Sequence, residues 1–287
     1  MTIQLRSMRS EDIEPCGRIC YEAFKGISEK HNFRPDFPVP EPAIELMGIL
    51  LARPDVFNVV AESDGTVIGS NHLLESDAIR AVGPITVDPN AQARGAGRML
   101  MDAVIERGKS SRGIRLVQDS FNTGSLSLYA SLGFDVREPM VLIEGALKGE
   151  VPAGVEVRTI REEDYEACAE LCRSVLGVDR LNELRQTPPL PCPFVALRNG
   201  RLTAYTSAPE FWAVNHAVAE TEDDMRALLI GAGNHCTKPF SLILPTRQTA
   251  LFRWCLNNRM RVIKPLTLMS MGEYQELRGC YLPSVGY

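Results

Sequence analysis

The feature that most constrains this chain is a repeat within it. Leu5-Arg6-Ser7-Met8-Arg9-Ser10-Glu11-Asp12-Ile13-Glu14-Pro15-Cys16 aligns with Val157-Arg158-Thr159-Ile160-Arg161-Glu162-Glu163-Asp164-Tyr165-Glu166-Ala167-Cys168. A second cysteine follows four residues later in each copy, at Cys20 and Cys172. The unit reads as a short strand, a charged turn with Asp12 or Asp164 at or near a helix N-cap, and an amphipathic helix. The match continues more weakly from Val59–Gly69 to Phe194–Ala204, where Asp64-Gly65 and Asn199-Gly200 read as type I′ hairpin turns. A repeat this long is a duplicated domain rather than a solenoid unit. Pro and Gly interrupt the pattern at Gly149–Gly154, so the division expected is 1–148 and 149–287.

Composition fits two globular domains. A length of 287 residues gives each copy enough chain to bury a core, and 45% hydrophobic with 23% charged residues is ordinary for folded proteins. No apolar run approaches the ~20 residues of a membrane helix, and the N-terminus lacks the basic head and long apolar stretch of a secretory signal. A net charge of −5 without basic runs argues against nucleic acid as a partner. The eight cysteines include no C-x-x-C and no histidine at ligand spacing, so no metal is expected. Cys16/Cys20 and Cys168/Cys172 share a helical face and read as small core residues, reduced in a cytoplasmic protein.

The chemistry is concentrated in the first copy. Gln92-Ala93-Arg94-Gly95-Ala96-Gly97 lies between the apolar run Ile85-Thr86-Val87 and the helical pattern Met99–Ile105. A strand, a glycine turn and a helix start make an anion site. First-turn N–H groups point at the ligand, and the helix dipole favours negative charge there. Gly95 and Gly97 allow close approach to the main chain, and Arg94 and Arg98 add positive charge. The segment matches neither the dinucleotide fingerprint nor the P-loop; alone it could be a plain turn. Farther on stand Asn122, Ser125, Leu128-Tyr129 and Leu132-Gly133-Phe134. Leu126, Tyr129 and Leu132 have helical spacing and Gly133 suits the stop, so on its own Tyr129 could be a half-buried core residue.

Together, in this order, these segments resemble the GNAT superfamily of acyl-CoA-dependent N-acyltransferases over roughly residues 3–145. The loop fits its Q/R-x-x-G-x-G/A signature, and Asn122 to Phe134 its second conserved pattern. The resemblance implies an α/β (α+β) mixed-sheet fold, here two tandem GNAT-like domains, each a twisted sheet flanked by helices. It implies acetyl-CoA as cosubstrate. Ile85, Thr86 and Val87 would hold the pantetheine, and Gln92, Ala93, Arg94, Gly95, Ala96, Gly97 and Arg98 the pyrophosphate. Asn122 and Ser125 would bind the CoA arm, and Tyr129 would be the general acid. A tyrosine's ordinary pKa near 10 keeps it protonated, as a donor must be. The base is open: His72, Glu75 and Asp77 are candidates that read more readily as ordinary polar residues, and water is a further one. The acceptor would be a small-molecule or peptide amine, and the acidic excess within residues 1–150 favours a cationic one. A homodimer stays open.

The second copy has diverged at these places. Val218-Ala219-Glu220-Thr221-Glu222-Asp223-Asp224-Met225 replaces the glycine loop with carboxylates, and Trp254-Cys255 replaces Leu128-Tyr129. Like charge repels a pyrophosphate, so this copy is expected to keep the fold and lose acyl-CoA binding. Two other readings of the whole remain: a non-catalytic acyl-CoA-binding scaffold, and an aminoacyl-transfer protein of cell-wall type, a group without a good pyrophosphate loop. The Pro-rich stretch His31–Pro40 cannot be regular structure and reads either as an acceptor-site segment or as a cap on the core. The apolar tail Gly279–Tyr287 reads as an ordered strap; alternatively, the Tyr287 carboxylate reaches a catalytic groove.

Overall fold

The computed structural model describes residues 2–92, 95–186 and 193–286. The chain forms two compact units, one of residues 1–116 and 121–135, the other of residues 117–120 and 136–287.

The first unit runs β1 (Ile3–Ser7), α1 (Ile13–Lys30), α2 (Glu41–Ala52), β2 (Val56–Ser63), β3 (Thr66–Leu74), β4 (Ile79–Val82), β5 (Thr86–Val87), α3 (Ala96–Gly108), β6 (Gly113–Asp119) and α4 (Thr123–Ser131). Its sheet has the order β1-β2-β3-β4-β6, with β5 attached to β3. Neighbours are antiparallel except β4 and the start of β6, which run parallel from Ile79↔Gly113 to Ala81↔Arg115. Asp64 and Gly65 both have positive φ, 50° and 77°, as a type I′ turn requires. The hydrophobic stripe of α1 buries Cys16 and Cys20 against Met47 and Leu50 of α2 and Val60 of β2. At Gly17 a Cβ would lie 2.4 Å from Ile44 Cα, so glycine sets how closely α1 and α2 approach. The sequence suggests one strand over residues 78–87. It is broken instead at Gly83-Pro84-Ile85, where Pro84 has no N–H to give the ladder.

The second unit continues with β7 (Asp135–Gly145), β8 (Val155–Thr159), α5 (Tyr165–Leu176), α6 (Leu181–Gln186), β9 (Phe194–Arg198), β10 (Arg201–Thr206), β11 (Ala217–Ala219), α7 (Glu222–His235), β12 (Phe240–Pro245), α8 (Thr249–Asn257), β13 (Arg261–Gly272) and β14 (Cys280–Leu282). Here β14-β11-β10-β9-β8 form an antiparallel sheet, and β7 lies between β13 and β12. The repeat placed β7 with the first copy. In the fold its inward residues Val141 and Ile143 join Phe240, Leu242 and Leu244 of β12 in one core, so β7 belongs to the second unit from Val136 on.

The sequence repeat has a physical cause at the start of each copy. Arg6 donates two hydrogen bonds to Asp12 at 2.6 and 2.9 Å, and Arg158 does the same to Asp164 at 2.6 and 2.9 Å. Each aspartate also accepts a backbone N–H, from Arg9 or Arg161, and so pins the strand to the following helix. The arginines hold both carboxyls below the usual aspartate range. Cys16, Cys20, Cys168 and Cys172 are free, buried thiols, as expected of small core residues.

Candidate active site

The site is built on an interrupted strand edge. β5 pairs with β3 through Gly69↔Val87 and Ser70↔Thr86. A Cβ on Gly69 would sit 2.6 Å from the Thr86 carbonyl oxygen, so glycine lets the two strands meet. The sequence signal was available, since a glycine within a strand marks a close backbone approach. Asp88 N–H reaches back to the Ile68 carbonyl at 2.8 Å. By antiparallel alternation, Val87 and Ile85 then turn their backbone groups to the opposite edge. Among the described residues β3 is the partner of β5, and no strand covers that other edge.

Beyond β5 the chain turns into α3. Gly95 is its N-cap with φ +92°, a region that favours glycine, and no side chain caps the first turn. The first internal bond runs from Met99 N–H to the Gly95 carbonyl at 3.1 Å, so the first-turn N–H groups of Ala96, Gly97 and Arg98 face outward along the helix axis. The space beside Gly95 is open, and a Cβ on Gly97 would be 3.6 Å from Leu128 and 3.8 Å from Val87. The glycines therefore keep the surface low toward a ligand rather than relieving an internal clash. Ala93 and Arg94 lie outside the described residues. Gln92 donates its amide to the Val87 carbonyl at 3.3 Å and so buttresses the end of β5. The Arg98 guanidinium donates to Ser131 Oγ on α4 at 2.7 Å, which holds its charge beside the helix start.

Asn122 and Tyr129 sit on the helix that closes this region. Asn122 is the N-cap of α4: its Oδ1 accepts the Ser125 N–H at 3.2 Å, while Ser125 Oγ donates to the Asn122 carbonyl at 2.9 Å. The cap uses the oxygen of Asn122 and leaves the amide N–H groups as donors. Tyr129 is buried, with its ring edge-on to Phe134 at 6.3 Å. The helix ends as the sequence implies, with Gly133 at φ +97° and Phe134 N–H bonded to the Tyr129 carbonyl. The Pro-rich segment carries aromatics to the same helix start. Phe33 stacks on Phe121 at 4.3 Å and His31 lies 5.4 Å from that ring, one residue ahead of Asn122.

Two of the base candidates, His72 and Glu75, do not present themselves as bases. His72 is fully buried. Asn58 donates its amide to the Leu50 and Val56 carbonyls, so its Oδ1 accepts from His72 Nδ1–H at 2.6 Å. The other ring nitrogen, Nε2, has no hydrogen-bond partner, and burial pushes the imidazole down to about 3. Glu75 is engaged in a two-point ion pair with Arg107, and the Asp77 carbonyl accepts from Arg80. Among the described residues no group of three or more His, Cys, Asp or Glu side chains could hold a metal ion. Likewise, no described helix is long and apolar enough to cross a membrane.

Residues 22–134 match the acetyltransferase (GNAT) family. No curated protein matches the chain. Among solved structures it resembles a candidate acetyltransferase of Pyrococcus horikoshii, with TM-score 0.72, 15% identity, and 97% of this chain and 94% of that one covered. A GCN5-related N-acetyltransferase of Sphaerobacter thermophilus superposes at TM-score 0.64 with 15% identity, covering 96% and 98% of the two chains. A tandem GNAT protein of the clavulanic acid biosynthesis pathway superposes at 0.60 with 14% identity, covering 96% and 100%. Identities this low establish the fold. Residues 22–134 thus resemble the GNAT family, and the chain as a whole has the tandem GNAT fold. Family match and fold together support an acyltransferase.

Proposed function

We propose that the first unit is an N-acetyltransferase that moves an acetyl group from acetyl-CoA to a primary amine by direct attack in a ternary complex. The observation that carries this reading is the uncapped start of α3, with Gly95 in the left-handed region, placed directly after the one-sided strand β5. An extended amide-bearing arm pairs with the open edge at Ile85–Val87 while its pyrophosphate meets the N–H groups of the first α3 turn. The Asn122 amide N–H groups add a donor to the arm from the opposite side. A backbone N–H on the β5 edge polarises the thioester carbonyl. The amine nitrogen forms the C–N bond, the C–S bond breaks, and the Tyr129 hydroxyl gives its proton to the departing sulfur. The surplus proton on nitrogen leaves to water, because His72 is fully buried with its basicity lowered and Glu75 is ion-paired to Arg107. The acidic balance of the chain suits a cationic acceptor.

Release of free thiol from acetyl-CoA, followed with a panel of amines, tests the reading. Release that depends on the amine is expected. A protein that binds acetyl-CoA but releases no thiol with any amine is a binding module, and the catalytic reading fails.

A further inference from the structure

We infer that the second unit is ligated by its own chain: the segment Gly279–Leu282 occupies the groove that the first unit leaves open along β5. This rests on reading that edge of β5 as the groove for an extended arm. The units match in element order from β1 with β8 to α4 with α8, except that β11 alone stands where the first unit has β4 and β5. Ala204↔Ala219 and Tyr205↔Val218 in the second unit stand where Gly69↔Val87 and Ser70↔Thr86 stand in the first. The backbone contact beside them is repeated too, as Glu220 N–H to the Thr203 carbonyl at 3.0 Å against Asp88 N–H to Ile68 at 2.8 Å. Ala217 and Ala219 therefore turn their groups to the outer edge as Ile85 and Val87 do. On that edge lies β14, paired through Ala217↔Leu282, Val218↔Tyr281 and Ala219↔Cys280.

The opposite side of β14 is held as a ligand would be held. Gln248 precedes α8 as Asn122 precedes α4, but it makes no cap. Its Nε2 donates to the Tyr281 carbonyl at 2.6 Å, and its Oε1 accepts the Tyr281 N–H at 3.0 Å and the Cys280 thiol at 2.8 Å. Gly279 approaches Ala219 so closely that a Cβ would lie 2.7 Å from that carbonyl. The Tyr281 hydroxyl accepts from the buried Arg180 at 2.7 Å, and Arg180 also donates to Ser284 Oγ at 2.9 Å. All three β14 residues are buried. A phosphate would find no place beyond them, because Thr221 caps α7 by accepting the Asp224 N–H and three acids fill its first turn. The groove thus takes an extended peptide with a tyrosine at its centre, and the chain supplies it.

The test uses the full chain with a site-specific protease sequence inserted after Glu276. After cleavage, the released segment is expected to stay with the body through gel filtration and to exchange with a labelled peptide of sequence Gly279–Tyr287. Gln248→Ala should weaken that peptide about tenfold, the worth of its two hydrogen bonds to the Tyr281 backbone. If the body unfolds on losing the segment, recovery of its circular dichroism when the peptide is added back supports the inference, and no recovery overturns it. A folded body that fails to bind the peptide, or binds it equally well with Gln248→Ala, also overturns it. Acetyl-CoA appears nowhere in this experiment, so its failure is distinct from failure of the proposed reaction.

Discussion

The two units share one plan and differ where a ligand would touch it. In both, an arginine grips an aspartate at the first corner, cysteines fill the core under the first helix, and a positive-φ hairpin joins the next two strands. At the groove they part. The first unit has an open strand edge, a glycine N-cap and an uncapped helix start; the second has an edge covered by β14, a threonine cap and acids. Tyr129 gives way to Cys255, a buried thiol whose pKa burial pushes up to about 12. The difference teaches that the fold is carried by the corner, the core and the hairpin, all duplicated, while the chemistry depends on a few positions the duplication left free to change.

The largest expected effect breaks the comparison at the helix starts. Gly95→Asp should abolish measurable acetyl-CoA binding by calorimetry, since the aspartate must adopt φ near +92° and sets a negative charge on the anion site. Thr221→Gly in the second unit should leave both affinity and a stoichiometry of one site per chain unchanged. Two equivalent sites in the unaltered protein would overturn the assignment of the groove to the first unit alone.

Next in size is Tyr129→Phe. Turnover should fall about 10²–10⁴-fold, with acetyl-CoA affinity nearly unchanged, the usual worth of a positioned acid. Cys255→Ser, at the matching place in the second unit, should not alter turnover. A Tyr129→Phe enzyme at full rate would make the residue a packing partner of Phe134, with the sulfur protonated by water.

The corner pairs sharpen the likeness instead. Asp12→Asn and Asp164→Asn each take the two-point charged partner from an arginine that is three-quarters or more buried, leaving Arg6 with Glu62 and Arg158 with Glu156. Each should lose about 1–3 kcal/mol in chemical denaturation, below the cost of breaking a fully buried pair because the guanidinium edge is partly wet. Losses that differ widely would mean the corner is structural in one copy only.

These contrasts also mark what the sequence could carry. The repeat was legible because Arg6, Asp12 and the two cysteines must recur for a strand to turn into a helix over a core. A helix end and a hairpin were legible because Gly133 and the Asn199-Gly200 turn have local conformational reasons. The loop from Gln92 to Gly97 was legible because a helix start needs nothing beyond its own residues to offer N–H groups. Long-range consequences were not. Nothing near residue 140 says that β7 packs against β12, since its apolar run Met140–Ile143 suits either unit. Gln248 looks like any surface glutamine until the tail arrives beside it. His72 was read as a polar residue near a strand edge, and only the three-dimensional pairing with Asn58 shows it buried with one nitrogen unpartnered.

That histidine supplies the smallest prediction, and it again sets the units side by side. His72 in the first unit and His216 in the second are both buried, and burial lowers both, His72 to about 3 from an ordinary value of 6.5. In each the imidazole is neutral in the fold: His72 Nδ1 donates to Asn58, and His216 Nε2 lies 3.2 Å from the Tyr205 hydroxyl. The unfolded chain binds a proton at each ring once the pH drops below about 6.5, whereas the folded chain refuses it. Stability from this source is therefore complete above pH 6.5 and is lost as the pH falls, at about 1.4 kcal/mol per pH unit for each ring. The carboxylates held low by ion pairs begin to contribute only below about pH 4.5, which leaves pH 6 to 4.5 to the histidines. Denaturation midpoints across that interval should fall steadily, and His72→Gln should remove about half of the slope while lowering stability at pH 7. An unchanged slope in that variant would mean the His72 ring takes up its proton inside the fold, through a water on Nε2, and would return it to the list of candidate bases.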